Sequence, residues 1–533
     1  MCPPQPQGYI VKTDALNPVL DVAIVGAGVS GLYSGWRWLT SPQGKGSRVE
    51  AFELSHRVGG RLMSAQPPGM PEGRVELGGM RYTSAQTMVA SLVSYLNLAT
   101  VPFVVAQDQN IAYLRGQHLR TKDLSDPEKV PYDIPKSDYD GFKKGFTALA
   151  AERYLEEVLH RRHVDLKTVD WDKVARTGRY EGHSVQDLTM RYIYSRSVSH
   201  ESFQFAEDTS GYDSIFFTWN AADGFPWNIG DYGASIQYSR LTEGYEMLPK
   251  TLEQRFEAEG GKVHFEHRLT RFDTVKLDDG SEGVELHLLH AGHHKVVRAR
   301  KLILAMPRRS LELLDQTGSV LGQEQHEVHK LIQSVVPIPL FKLALCYRTR
   351  WWEELGITQG QSVTDLPIRQ CYYWPVGDDT KAGAILIYND GLDLEYWAGL
   401  RNDPEGFANE DGTDSNDPAI EWKENPAPRL MVQEAHRQLL EMHGLADTPE
   451  RRPYAAAYRD WGDDPFGGGA NFWPQYVDSQ HVSKRIVQPV HGKPVYICGE
   501  AYSHAQGWVE GALATAEDML QHHLGLQPPV YMA

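Results

Sequence analysis

Asp21-Val22-Ala23-Ile24-Val25-Gly26-Ala27-Gly28-Val29-Ser30-Gly31, running on into Leu32 to Leu39, is the stretch that decides the fold. Its first half is a short β-branched run of the kind found in a buried parallel strand. The glycines follow at G-x-G-x-x-G spacing, and the residues after them read as a helix. A second strand, Val49-Glu50-Ala51-Phe52-Glu53, ends in a carboxylate 22 residues beyond Gly31. Each part has a task in holding a dinucleotide. Gly26 permits the tight turn, Gly28 lets the backbone approach a pyrophosphate, and Gly31 lets helix and sheet pack closely. The helix start, including Ser30, directs N–H groups and partial positive charge at phosphate. Glu53 is placed to accept from ribose hydroxyls and would repel a 2′-phosphate, which argues against NADP.

Just beyond Glu53 come Arg57-Val58-Gly59-Gly60-Arg61 and then Glu76-Leu77-Gly78-Gly79-Met80-Arg81-Tyr82. An NAD dehydrogenase has no need of a further glycine pair there. A longer FAD molecule does, because its pyrophosphate and flavin lie against extra backbone segments.

Farther out, the chain changes character between about 120 and 235, where charged and aromatic residues recur at helical spacing, as in Phe146 to Leu159. Strand-like alternation returns at 262–266 and 284–288, and a buried strand is expected at 301–305. Short alternating runs over 341–398 predict a second, partly antiparallel sheet. Asn402 to Asp417 reads as an acidic surface loop, and the chain closes with a strand at Val495–Cys498, a glycine turn and a helical run from Val509 to His522.

Composition narrows the function classes. The 533 residues carry 53 lysines and arginines against 70 acids, a net charge of −17, which repels phosphate backbones and anionic lipid. Basic clusters at His160–His163 and Arg298–Lys301 therefore read as solvated faces, and neither nucleic acid nor membrane is expected as a partner. The four cysteines form no CxxC pair, and the 21 histidines show no HExxH-like spacing, so no metal is assigned. Met1 to Gly8 lacks the basic and apolar regions of a secretory signal, and no run approaches the ~18 apolar residues of a membrane span. A cytoplasmic location is expected.

The strand-turn-helix, the RxGGR segment, the ELGGMR segment and the C-terminal Gly499-Glu500…Gly507-Trp508-Val509-Glu510-Gly511-Ala512 together resemble the flavin amine oxidase superfamily, more narrowly its L-amino-acid oxidase and monooxygenase branch. The motifs span residues 21 to about 520. The resemblance implies an α/β fold with a discontinuous Rossmann-like FAD-binding domain (18–63, 238–312 and 485–526). A mixed-sheet substrate-binding domain (64–118 and 313–484) and a helical insertion forming the substrate entrance (119–237) complete it.

It also implies roles for individual residues. Arg61 would neutralise FAD phosphate, Leu269 would contact the adenine edge through its backbone, and Gly79, Met80, Gly499, Glu500, Trp508 and Val509 would wall the cofactor. Glu500 would accept from a ribityl hydroxyl or fix the local backbone. Ala470 stands where some amine oxidases carry a flavin-tethering cysteine, so noncovalent FAD is expected. Arg81 would form a two-pronged ion pair with a substrate α-carboxylate and border the cofactor. Tyr388 would add a second bond to that carboxylate, and Tyr372 would line the same cavity. Lys342, a polar residue amid Phe341 to Leu345, would be the catalytic lysine that holds a water against flavin N5. Gly507 would take the substrate amine on its carbonyl, beside the Trp508 wall.

The reaction implied is oxidation of an L-amino acid by hydride transfer from Cα to flavin N5, giving a 2-oxo acid, ammonia and hydrogen peroxide with oxygen as acceptor. An amino-acid 2-monooxygenase or an oxidase of amines without a carboxylate stays open. So does the preferred side chain. Phe216, Phe217, Trp219, Phe225, Trp227 and Tyr232 suggest a pocket for large or apolar groups, whereas Asp390 is placed to meet a basic one. Asp390 also sits in Asn389-Asp390-Gly391, a strong turn signal. Members of the superfamily often assemble as dimers or larger, but no interface signature is present in these residues.

Overall fold

The computed structural model of the chain describes residues 19–232, 236–374, 381–410 and 420–532. Its first layer is a five-stranded parallel sheet in the order Lys262–His264, Val49–Phe52, Val22–Val25, Leu302–Leu304, Val495–Ile497. The founding strand lies at its centre with every residue buried. The run at 262–266 is thus an edge strand of this sheet, while Arg268–Lys276, Glu282–His290 and His293–Ala299 form a separate antiparallel meander.

Two glycines make the first turn possible. Gly26 takes a φ of +100°, a region costly for any other residue. A Cβ on Gly31 would stand 2.0 Å from the Gly26 carbonyl oxygen, so the helix Val29–Thr40 can begin against the strand only without one. That helix then packs between Met247–Ala258 and Val509–Asp518. Its Leu32, Tyr33 and Leu39 are buried with Leu248, Leu252 and Leu513. Each leucine so buried contributes about 1.5–3 kcal/mol.

The second layer is a seven-stranded mixed sheet in the order Ala455–Asp460, Phe341–Tyr347, Gly383–Asn389, Gln370–Trp374, Gly360–Thr364, Ile111–Leu114, Gln117–Arg120. All its pairings are antiparallel except that of Gly360–Thr364 with Ile111–Leu114. Successive side chains on a strand point to opposite faces, and both faces here are covered. Phe341, Leu343, Leu345, Ile385 and Ile387 pack against the helix Arg429–His443 through Met431, Val432 and Leu439. Ala344, Leu386, Tyr372 and Trp374 face the other way, toward Met63, Leu77 and Met80 of the glycine-rich segments. The second face borders the cavity described below.

Between 141 and 232 the chain is mostly helical, with Phe146–Val158, Met190–Ser197, His200–Ser210 and Ala221–Tyr232 packed together and one short hairpin, Arg179–Tyr180 with His183–Ser184. Part of the acidic loop, 411–417, and the side chain of Tyr232 lie outside the described residues, as does Met1 to Gly8. Among the described residues no helix is long and apolar enough to cross a membrane. Cys346, Cys371 and Cys498 are free and buried.

Candidate functional site

Where the parallel sheet's turns meet the mixed sheet, a cavity of about 680 Å³ runs from the Gly26–Ser30 turn to Tyr388 and Asp390. Segments far apart in sequence line it: 52–63, 78–81, 267–269, 305–314, 338–342, 464–472 and 499–512 all contribute.

At the turn end, Glu53 holds the geometry. Its Oε2 accepts from the Ala27 amide at 2.8 Å, and its Oε1 accepts from the amide and hydroxyl of Ser55 at 2.9 and 2.8 Å. The Arg57 guanidinium donates to the carbonyls of Val58, Leu62 and Gly60, which fixes the second glycine loop from within. Gly28, Gly60, Gly499 and Gly507 line the cavity with bare backbone. A Cβ on Gly28 would have no heavy atom within 4 Å, and on the other three none nearer than 3.7 Å. A glycine-walled cleft at a helix N-terminus that lacks a side-chain cap is what an extended pyrophosphate-containing group requires. The residues fit FAD.

Two of the residues at this end are paired with each other. Arg61 lines the cavity, but its Nη1 is paired with Glu500 Oε2 at 2.7 Å. Glu500 in turn accepts from the amides of Asn471 at 2.9 Å and Gly507 at 2.8 Å. Of the two roles open to Glu500, fixing local backbone is the one the geometry displays. Gly31 does not line the cavity; its contribution is the helix–strand approach. Ser30, Gly79, Met80, Leu269, Gly499, Trp508 and Val509 all line it, as does Ala470. Leu269 sits at a bulge of its strand.

At the far end, strand register assembles the chemistry. Lys342 pairs directly with Tyr388 and with Arg459 on its other side. The Lys342 ammonium lies 5.0 Å from the Tyr388 ring centre and donates to the Gly78 carbonyl. Burial pulls its pKa well below the usual lysine range, against the pull of the Glu76 carboxylate and reinforced by the Arg81 charge. Glu76, equally buried, is pushed up by desolvation, although the Ser64 hydroxyl and Tyr245 amide donate to it at 2.7 Å each.

Arg81 is buried, with Nη1 3.4 Å from the Tyr372 hydroxyl and Nη2 3.4 Å from that of Tyr212. The Tyr238, Phe103 and Tyr372 rings stand 4.7, 5.1 and 5.7 Å from its guanidinium carbon. Tyr212 meets the Tyr388 ring edge-on at 5.2 Å and shares a 2.7 Å hydrogen bond with the Tyr372 hydroxyl. A planar cation framed by hydroxyls suits a carboxylate.

Tyr372 itself is not a lining residue. It lies on the cavity-facing side of its strand but behind Arg81 and Tyr212, where it holds both. Trp219 is likewise displaced: its ring stacks on Phe472 at 3.6 Å, and Phe472 and Trp227 form the wall in its place. Trp227 donates to the Gln506 carbonyl at 3.0 Å and faces Trp508 at 6.4 Å, leaving a slot beside Gly507. Phe216 and Phe225 belong to the helical core with Tyr194 and Tyr154, and Phe217 lies under Arg191. Their aromatic density reflects helix packing. Tyr212, Ser214 and Glu76 were not among the expected site residues. Tyr212 and Ser214 flank a break between two helices, where no periodicity marks them. Glu76 stood in the quoted ELGGMR segment without a role.

A sequence model for flavin-containing amine oxidoreductases matches residues 30–410. Aplysianin-A from Aplysia kurodai is 26% identical, with 95% of this chain and 90% of that protein covered. An L-amino-acid oxidase from Protobothrops flavoviridis is 23% identical over 92% of this chain and 86% of its own. Among solved structures, cyclohexylamine oxidase from Brevibacterium oxydans superposes with a TM-score of 0.64 at 17% identity, covering 94% of this chain and 100% of that one.

Proposed function

The chain belongs to the flavin-containing amine oxidoreductase family, and from that premise we propose that it oxidises L-amino acids, small-molecule amines bearing a carboxylate. The balanced reaction takes an L-amino acid, oxygen and water to a 2-oxo acid, ammonia and hydrogen peroxide. The similarity to a snake L-amino-acid oxidase supports this reading. The observation that carries it is Arg81, buried at the sheet end of the cavity and framed by the Tyr212 and Tyr372 hydroxyls.

FAD, when bound along the glycine-walled cleft, supplies the two-electron acceptor and passes the electrons to oxygen. The protein's share is binding and orientation. Arg81 offers two terminal nitrogens to the two carboxylate oxygens, and burial keeps Tyr388 protonated and able to donate to the same group. The Gly507 carbonyl would take the α-amine, beside the slot between Trp227 and Trp508. Lys342, with its lowered proton affinity, can hold or release a proton near neutral pH beside Gly78.

The test is anaerobic spectroscopy of the yellow holoprotein with pooled L-amino acids and, separately, with the corresponding decarboxylated amines. Bleaching by the amino acids, followed by peroxide and ammonia release in air, is expected. Bleaching by amines alone would overturn the carboxylate assignment, and an amide product would mark a monooxygenase.

A further inference from the structure

The amino-acid reading leaves the side chain unspecified, and the sheet end of the cavity, beside Tyr388, holds an acid that its chemistry does not use. Asp390 lines the cavity and is 7% exposed. It lies two residues beyond Tyr388, so the two carry their side chains to one face as the strand ends. Its Oδ1 accepts from the Asp213 amide at 3.1 Å and its Oδ2 from the Ser214 hydroxyl. Among the described residues no cation pairs with it. Arg369, whose charge reaches it, is engaged by Asp213 at 2.8 Å and Asp208 at 3.4 Å and by the carbonyls of Thr364 and Glu207.

Two carboxylates therefore already share Arg369, and Asp390 adds a third that has no ion-pair partner of its own among the described residues. Burial, then the nearby Asp213 charge, pushes the Asp390 carboxyl up to about 7, opposed by the two hydrogen bonds and by Arg369. A carboxylate so placed is costly until a cation arrives. The Tyr212 and Tyr388 rings connect it to the Arg81 end: Tyr212 touches Arg81, and its neighbour Asp213 touches Asp390. A substrate whose α-carboxylate lies on Arg81 can thus send a flexible stem past two tyrosines toward Asp390.

Resting on the amino-acid oxidase reading, we propose that Asp390 is a specificity-determining residue that selects L-amino acids with a cationic side chain, of the lysine or arginine type. An apolar stem packs along the tyrosines while its charged end meets the carboxylate. A neutral side chain of equal length would bury Asp390 without compensation.

The experiment compares kcat/KM of the holoenzyme for L-lysine and L-arginine with that for L-norleucine, which matches the lysine stem without its ammonium. Wild type is expected to favour the basic substrates. Asp390→Asn should lower the lysine-to-norleucine ratio on the order of a hundredfold, as loss of a buried charge partner does. In wild type the KM ratio should shift toward lysine as pH rises through about 7. Because both substrates carry the same α-amine, titration of Lys342 and Glu76 cancels in that ratio. The wild-type comparison needs no variant, so poor folding of Asp390→Asn leaves the inference open to refutation. A wild-type preference for norleucine would overturn it while the amino-acid reading stood. Oxidation of neither would overturn it too, and bleaching by pooled L-amino acids would then decide separately whether the amino-acid reading stands.

Discussion

At the scale of single residues, the site is a set of buried charges whose protonation is set by what surrounds them. Replacing Arg81 by lysine keeps a positive charge but loses the two-pronged fork. The variant should retain its flavin spectrum while kcat/KM for amino acids falls by roughly one to two orders of magnitude, mainly through KM. Unchanged kinetics would remove Arg81 from carboxylate binding. Asp390 makes a separate prediction about stability. Its carboxyl holds its proton more tightly folded than unfolded, so the stability it contributes is fully present below its ordinary value of 3.8 and is lost as pH rises through about 7. Asp390→Asn does not ionise. Its Tm relative to wild type should therefore rise between pH 5 and pH 8, by roughly a few degrees. A constant difference across that range would show that Asp390 is ionised throughout.

At the scale of elements, two glycines of one turn do different work. Gly28→Val puts a side chain where nothing stands within 4 Å, in the bed that phosphate requires. Gly31→Val drives one into the Gly26 carbonyl. The first variant should purify folded but colourless, with native circular dichroism; the second should fail to fold or lose several degrees of Tm. Equal behaviour would refute the division of labour. That turn was readable from sequence because its signal is contiguous: strand, spaced glycines, helix and acid within about thirty residues. Four strands of the mixed sheet were readable as alternation from 341 to 389, whereas 394–398, expected with them, open the helix Leu394–Arg401, and Lys342 stood out because a charge interrupts an apolar run. Trp219 and Trp227 could not be told apart in the same way. Both are indoles eight residues apart, and which one meets the cavity is decided by Phe472, more than two hundred residues away. Tyr372 and Tyr212 pose the same problem, since a hydroxyl pair across 160 residues leaves no local trace.

At the scale of the whole molecule, the cavity has no single owner. Its walls come from both sheets and from the helical segment, so any group bound there ties together parts that are otherwise joined by packing and a few hydrogen bonds. A cofactor that binds the native state and not the unfolded chain stabilises by mass action, about 2.7 kcal/mol at a hundredfold excess over its Kd. Apoprotein titrated with FAD should show a Tm that climbs with the logarithm of FAD concentration, and riboflavin, which lacks the pyrophosphate and adenine, should reproduce little of that climb. An equal response to riboflavin would mean that the glycine-walled cleft does not hold the pyrophosphate.

The three buried thiols bear on how long such a catalyst would last. Peroxide attacks sulfur as the thiolate, and only where solvent can deliver it. Burial pushes Cys371 and Cys498 up to about 12 and raises Cys346 as well. An enzyme that releases an oxidant at every turnover thereby keeps these sulfurs un-ionised and out of the oxidant's reach, and its working lifetime is set elsewhere than at these cysteines.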